Sequence, residues 1–155
     1  MNTYITRKWL VRWMYAAAMH LLTGIFLPLI ANATLFEGYH HDIETHFWGN
    51  AIPAAARAQQ VWWISLFGPT VQAASIWMAV LLVIADKQRN AFAWIGLIAG
   101  IVVWAPQDIL ISIQAQCEAH IWIDGFAVTS MLPPLIWLFQ HDLKKQGERT
   151  WSQSC

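Results

Sequence analysis

The sequence predicts an all-α integral membrane protein, a four-helix bundle in one domain covering residues 1–155. Three observations carry that expectation. Hydrophobic residues make up 57% of the chain and charged ones only 12%, against roughly 25% charged in an ordinary soluble domain. Four apolar runs are each long enough to cross a hydrocarbon layer about 30 Å thick, which takes about 20 residues. Those runs are apolar on every helical face, so no polar surface is left for water.

The first run is Trp9 to Ala31, with Arg12 near its start; the second, Val61 to Ala85, holds no charge. The third is Ala91 to Ile113 and contains Asp108, and the fourth is Ile121 to Gln140, with Asp124 near its start. All are too long for strands. The first continues past any plausible cleavage point, so it reads as a signal anchor. Between the first two runs lies a long loop, Asn32–Gln60, whose Ala-rich part after Pro53 suits a short helix leading into the second span.

Eight of the nine Lys and Arg fall on one side: Arg7, Lys8, Arg12, Lys87, Arg89, Lys144, Lys145 and Arg149, with only Arg57 opposite. The positive-inside rule then puts both termini in the cytoplasm and the long loop outside, as in a bacterial inner membrane. Glu37, Asp42, Glu44, Glu118, Asp108 and Asp124 gather toward the outer side, so a net charge of zero conceals a strong asymmetry. That balance excludes a nucleic-acid binder working through a basic surface. Disorder is excluded by the hydrophobicity. Cys117 and Cys155 lie on opposite sides, which forbids a disulfide between them.

Most of the 11 tryptophans, among them Trp9, Trp13, Trp62, Trp63, Trp122, Trp137 and Trp94, fall near span ends and suit anchoring at the headgroup boundary. Each span has a stripe of small or polar residues suited to the bundle interior. The stripes are Trp13, Ala16, His20, Thr23, Gly24 and Leu27; Ser65, Gly68, Gln72, Ser75 and Ala79; Gly96, Gly100, Trp104, Asp108 and Ser112; and His120, Asp124, Ala127 and Met131. Pro28, Pro69, Pro106 and the Pro133-Pro134 pair put a proline in every span, so a splayed bundle around a cavity is expected.

Depth follows from the helical rise of about 1.5 Å per residue. Asp108 should lie roughly 7–8 Å below the outer boundary, Asp124 roughly 4–5 Å, and His20 and Gln72 near the midplane at roughly 16 Å. Intramembrane acids are costly and tend to mark function. The candidate ligand site is therefore an outward-opening polar funnel of Asp108, Asp124, His20 and Gln72, with Trp104 beside it. It would bind or transport a small amphipathic molecule or lipid.

A different chemistry is offered by the loop segment from Glu37 to Trp48. His40, His41, Asp42 and His46, joined by His120, supply borderline nitrogen and oxygen ligands for zinc or copper. No established metal-binding spacing is present. Three functions stay open: the ligand-binding or transport bundle; a membrane enzyme using His20 or Asp108 as acid or base on a lipid-soluble substrate; and a metal-binding or accessory subunit of a membrane complex. A homo-oligomer is compatible with each. In layout alone, four helices with a long first loop and outward acids, the chain resembles small tetraspan sterol-handling and DoxX-like membrane proteins. No motif specific to either is present, so no residue role carries over.

Overall fold

A computed structural model of the chain describes the backbone of residues 3–153 and the side chains of residues 3–147; Cys155 lies outside them. The described chain is all helical. Its order is α1 (Thr3–Ala18), α2 (Leu21–Ile30), a single 3-10 turn at Thr34–Phe36, α3 (Glu37–Trp48), α4 (Ala56–Gln88), α5 (Ala91–Gln114) and α6 (Glu118–Gln153). Four helical segments are long and apolar enough to cross a membrane: Thr3–Ile30, Ala56–Gln88, Ala91–Gln114 and Glu118–Gly147. They contain the second, third and fourth expected spans whole and the first up to Ile30, one residue short of Ala31, and run beyond most of the other ends. The Ala-rich stretch after Pro53 starts α4 itself instead of forming a separate helix.

The first crossing is broken, though not at its proline. Pro28 lies inside α2, and the break falls at Met19–His20. There Met19 N–H bonds the Ala16 carbonyl and His20 N–H the Ala17 carbonyl, a tightening into 3-10 geometry. Pro69, Pro106, Pro133 and Pro134 likewise sit within unbroken helices.

Two tight turns set the helix pairing. Asn90 caps α5, its Oδ1 accepting from the N–H groups of Phe92 and Ala93 at 2.9 and 3.3 Å. Arg89 before it takes the left-handed conformation that ends α4. At the other turn Gln116 is left-handed (φ 50°), and Cys117 N–H closes back onto the Ser112 carbonyl at 2.9 Å.

The helices converge at the end that carries both termini. There α1 packs on α4 and α6, and Val11, Met14, Ala18, Leu82, Ala85, Ala93, Trp94, Leu97, Leu135 and Leu138 form one apolar core. Toward the opposite end, here the loop end, the principal pairs are α2 with α4 and α5 with α6. The α2–α4 contact is close because Gly24 faces Gly68: a Cβ on Gly24 would sit 2.7 Å from the Gly68 carbonyl oxygen. Large apolar side chains such as Leu29, Phe67, Trp77, Val103, Trp122 and Phe126 point outward on all four crossings, as a lipid-facing surface requires.

Of the predicted interior stripes, those of the second and fourth spans face inward. On α5 the first part of the stripe is displaced: Gly96, Gly100 and Trp104 are exposed and Trp94, Leu97 and Ala105 are buried instead, while Asp108 is half-buried and Ser112 buried as expected. On α1 the buried face is Arg7, Val11, Met14 and Ala18, while Trp13 and Ala16 are exposed; on α2 Gly24 is buried as expected and Thr23 is exposed. The buried Val11, Met14 and Ala18 of α1 and Trp94 and Leu97 of α5 are the residues that reach the shared apolar core, whatever their size.

Trp94 is no boundary anchor. Fully buried, it donates its indole N–H to Asp142 Oδ2 at 3.1 Å. Asp142 is also fully buried and accepts two hydrogen bonds from Arg7. Arg89 reaches the same carboxylate at 3.2 Å, and His141 Nδ1 lies 2.9 Å from it. Arg7 further bonds Asp86 at 2.8 Å. Residues that the sequence places among flanking charges thus lock α1, α4, α5 and α6 together.

Candidate functional site

The loop end is built differently: it is polar, and α3 lies across it. Arg57, at the start of α4, clamps α3 by bonding Glu37 at 2.7 and 2.9 Å and Glu44 at 2.7 and 3.1 Å. These bonds hold both glutamates below the usual carboxylate range. Deeper in the same contact, His40 is 1% exposed. Its Nε2 meets the Ala31 carbonyl at 2.8 Å and its Nδ1 meets Gln60 Oε1 at 3.0 Å. Gln60 in turn donates to Glu44 at 3.3 Å.

The other side of α3 reaches the α5–α6 pair. The Tyr39 hydroxyl and His120 Nε2 share a hydrogen bond of 3.2 Å, with their rings stacked at 5.5 Å. Burial, with the Cys117 thiol nearby, pushes the Tyr39 phenol up to about 12. It therefore stays protonated and able to donate. His46 Nδ1 meets Gln116 Oε1 at 3.0 Å. Between α3 and the α5–α6 turn opens a cavity of about 600 Å³, lined by Tyr39, His41, Asp42, Gln116, Cys117 and Glu118 among others.

Behind Tyr39 a line of polar groups runs into the bundle. His120 and Asp124 are four residues apart on α6 and so share a face. Asp108 on α5 lies against Asp124, and Ser112, one turn on from Asp108, is buried. Asp124 is only 4% exposed, and its Oδ2 has no hydrogen-bond partner among the described residues.

Not all the predicted funnel residues join this line. Gln72 donates to the Gly24 carbonyl at 3.1 Å and ties α4 to α2. His20 Nδ1 is 2.9 Å from the Ala17 carbonyl, within its own helix break. Since a carbonyl only accepts, His20 carries its proton on Nδ1 there. No hydrogen bond among the described residues joins either one to Asp108 or Asp124. Trp104 is 42% exposed on the outer face of α5.

Nor are the metal candidates gathered. His40 spends both ring nitrogens on Ala31 and Gln60, His46 turns to Gln116, and His120 to Tyr39, while His41 and Asp42 line the cavity. Among the described residues no group of three or more His, Cys, Asp or Glu is placed to hold a metal ion. The helical form of α3 contributes by pointing the successive His40, His41 and Asp42 about 100° apart; Asp42 and His46 share a face, but His46 is engaged by Gln116.

Tyr39 and Gln60 escaped the sequence reading. A phenol beside two histidines was the available signal for Tyr39; Gln60 had none, since its role depends on α3 folding back onto α4.

No protein-family model, curated protein or solved structure matches the chain. What the chain does must therefore be read from these residues.

Proposed function

We propose that this multi-pass membrane protein takes a small amphipathic molecule or lipid at its loop end. The polar head would lie along Tyr39, His120, Asp124 and Asp108, with the apolar part against the surrounding helices. In this reading the termini face the cytoplasm, since eight of nine Lys and Arg lie at that end. The loop end then faces the outside of a bacterial inner membrane.

The reading rests on the cavity of about 600 Å³ beside Tyr39, a volume within the usual range for small-molecule sites. Polar groups continue from it into the bundle, while the opposite end is closed by core packing and ion pairs. Access from one side only suits binding or delivery better than a channel.

The test is native mass spectrometry of the full chain in nanodiscs. A small molecule retained by the wild type and lost in Asp108→Asn and His120→Ala, with helicity unchanged, supports the reading. A wild type that retains nothing, or variants that retain as much as it does, would count against it.

A further inference from the structure

Asp124 poses a chemical problem that ligand binding alone does not answer. Its Oδ2 is out of solvent reach and without a hydrogen-bond partner among the described residues, and the neighbour beside it is another carboxyl, Asp108. An ionised carboxylate offers only acceptor lone pairs. Two of them side by side repel each other, and the buried Asp124 Oδ2 is left unsatisfied. The charged groups near Asp124 are Asp108 from α5 and His120 from its own helix. Beyond His120 stand Tyr39 of α3 and the Cys117 thiol. Arg57, the one Lys or Arg of the loop end, is committed to Glu37 and Glu44.

One proton resolves the conflict. It turns a carboxyl oxygen into a donor, supplies the missing hydrogen bond across the pair, and leaves one negative charge where there were two. We propose that Asp108 and Asp124 form a proton-binding site within the membrane-spanning bundle, reached from the loop-end cavity through Tyr39 and His120. The proton comes from water in the cavity, passes along the Tyr39–His120 hydrogen bond, and is held between the two carboxyls. His120 suits a relay because imidazole can accept on one nitrogen and donate from the other. The site shares residues with the ligand reading but not its test, since a protein that retains no small molecule can still hold this proton.

Infrared spectroscopy of the full chain in nanodiscs reads the proton directly. At neutral pH the wild type should show the carbonyl stretch of a protonated carboxyl, shifted by transfer to D₂O. Asp124→Asn and Asp108→Asn should each remove or displace that band. Tyr39→Phe should keep the band but slow its exchange with D₂O severalfold. Absence of the band from folded wild type at neutral pH overturns the site. So does a band indifferent to both aspartate substitutions, and this outcome needs no assumption about how well the variants fold. Exchange as fast in Tyr39→Phe as in the wild type overturns the route.

Discussion

Arg7 and Asp142, 135 positions apart, meet side-on: Arg7 Nε bonds Asp142 Oδ1 and Nη2 bonds Oδ2, each at 2.9 Å. The pairing joins the first and last helices at the terminal end, and both side chains are buried. A buried ion pair adds modest net stability, but removing one partner leaves the other's charge less well compensated, with Asp86 left for Arg7, or Arg89 and His141 for Asp142. Arg7→Ala or Asp142→Ala should therefore cost at least as much as a hydrogen bond to a charged group, about 1.5–3 kcal/mol, measured by unfolding in mixed micelles. The double replacement Arg7→Met/Asp142→Leu should cost clearly less than the two single losses combined. Additive losses would show that the pair is not coupled.

Trp94 contributes to the same carboxylate through one N–H. Trp94→Phe keeps an aromatic ring in the core and deletes that donor, while Arg7, Arg89 and His141 still reach Asp142. The expected cost is about 1.5–3 kcal/mol, that of a hydrogen bond to a charged group. A boundary anchor would lose almost nothing on the same change, so the unfolding free energy of this one variant separates the two roles.

The apolar runs made the four crossings legible, because hydrocarbon thickness fixes how many apolar residues a span needs. The second- and fourth-span stripes were legible for a related reason: Gly68, Gln72, Ser75 and Asp124 gain little by facing lipid. Sequence periodicity could not place the α5 face, where Trp94 and Leu97 displaced Gly96 and Gly100. Nor could it show that Arg7 and Asp142 bond each other, since charge counting treats every flanking residue as solvated. The break at Met19–His20 has no proline or glycine to announce it. At the candidate site the two aspartates could be found from the cost of acids in lipid. Their separation from His20 and Gln72 could not, because it depends on which helices pair.

Gly24 and Gly68 set the distance between α2 and α4. A Cβ on Gly68 would lie 2.6 Å from Pro28 Cγ and 2.7 Å from the Gly24 carbonyl oxygen. Neither a proline ring nor a helix backbone can step aside, so Gly68→Ala should force the helices apart and cost about 1–3 kcal/mol, as overpacking does. The Gln72 bond to the Gly24 carbonyl should weaken with it. Gly100→Ala is the control: nothing lies within 4 Å of its added Cβ, and stability should change by no more than about 0.5 kcal/mol. Equal effects at both positions in a thermal-shift assay would sink the close-approach argument.

The attachment of α3 should fail in acid and hold in mild alkali. Glu37 and Glu44 titrate below the ordinary glutamate value because Arg57 bonds each of them, with smaller attraction from His40 to both and from His41 to Glu37. A carboxyl depressed in the folded state contributes fully above its unfolded value of about 4.3 and loses that contribution as pH falls through the folded value. Hydrogen exchange of the amides of Glu37–Trp48, corrected for intrinsic rate, should show protection constant from neutral pH down to about 5 and falling below about 4. Arg57→Gln should lower protection already at neutral pH and flatten the acid limb. Wild-type protection unchanged through the acid range would mean that the Tyr39 and His40 contacts hold α3 without the ion pairs.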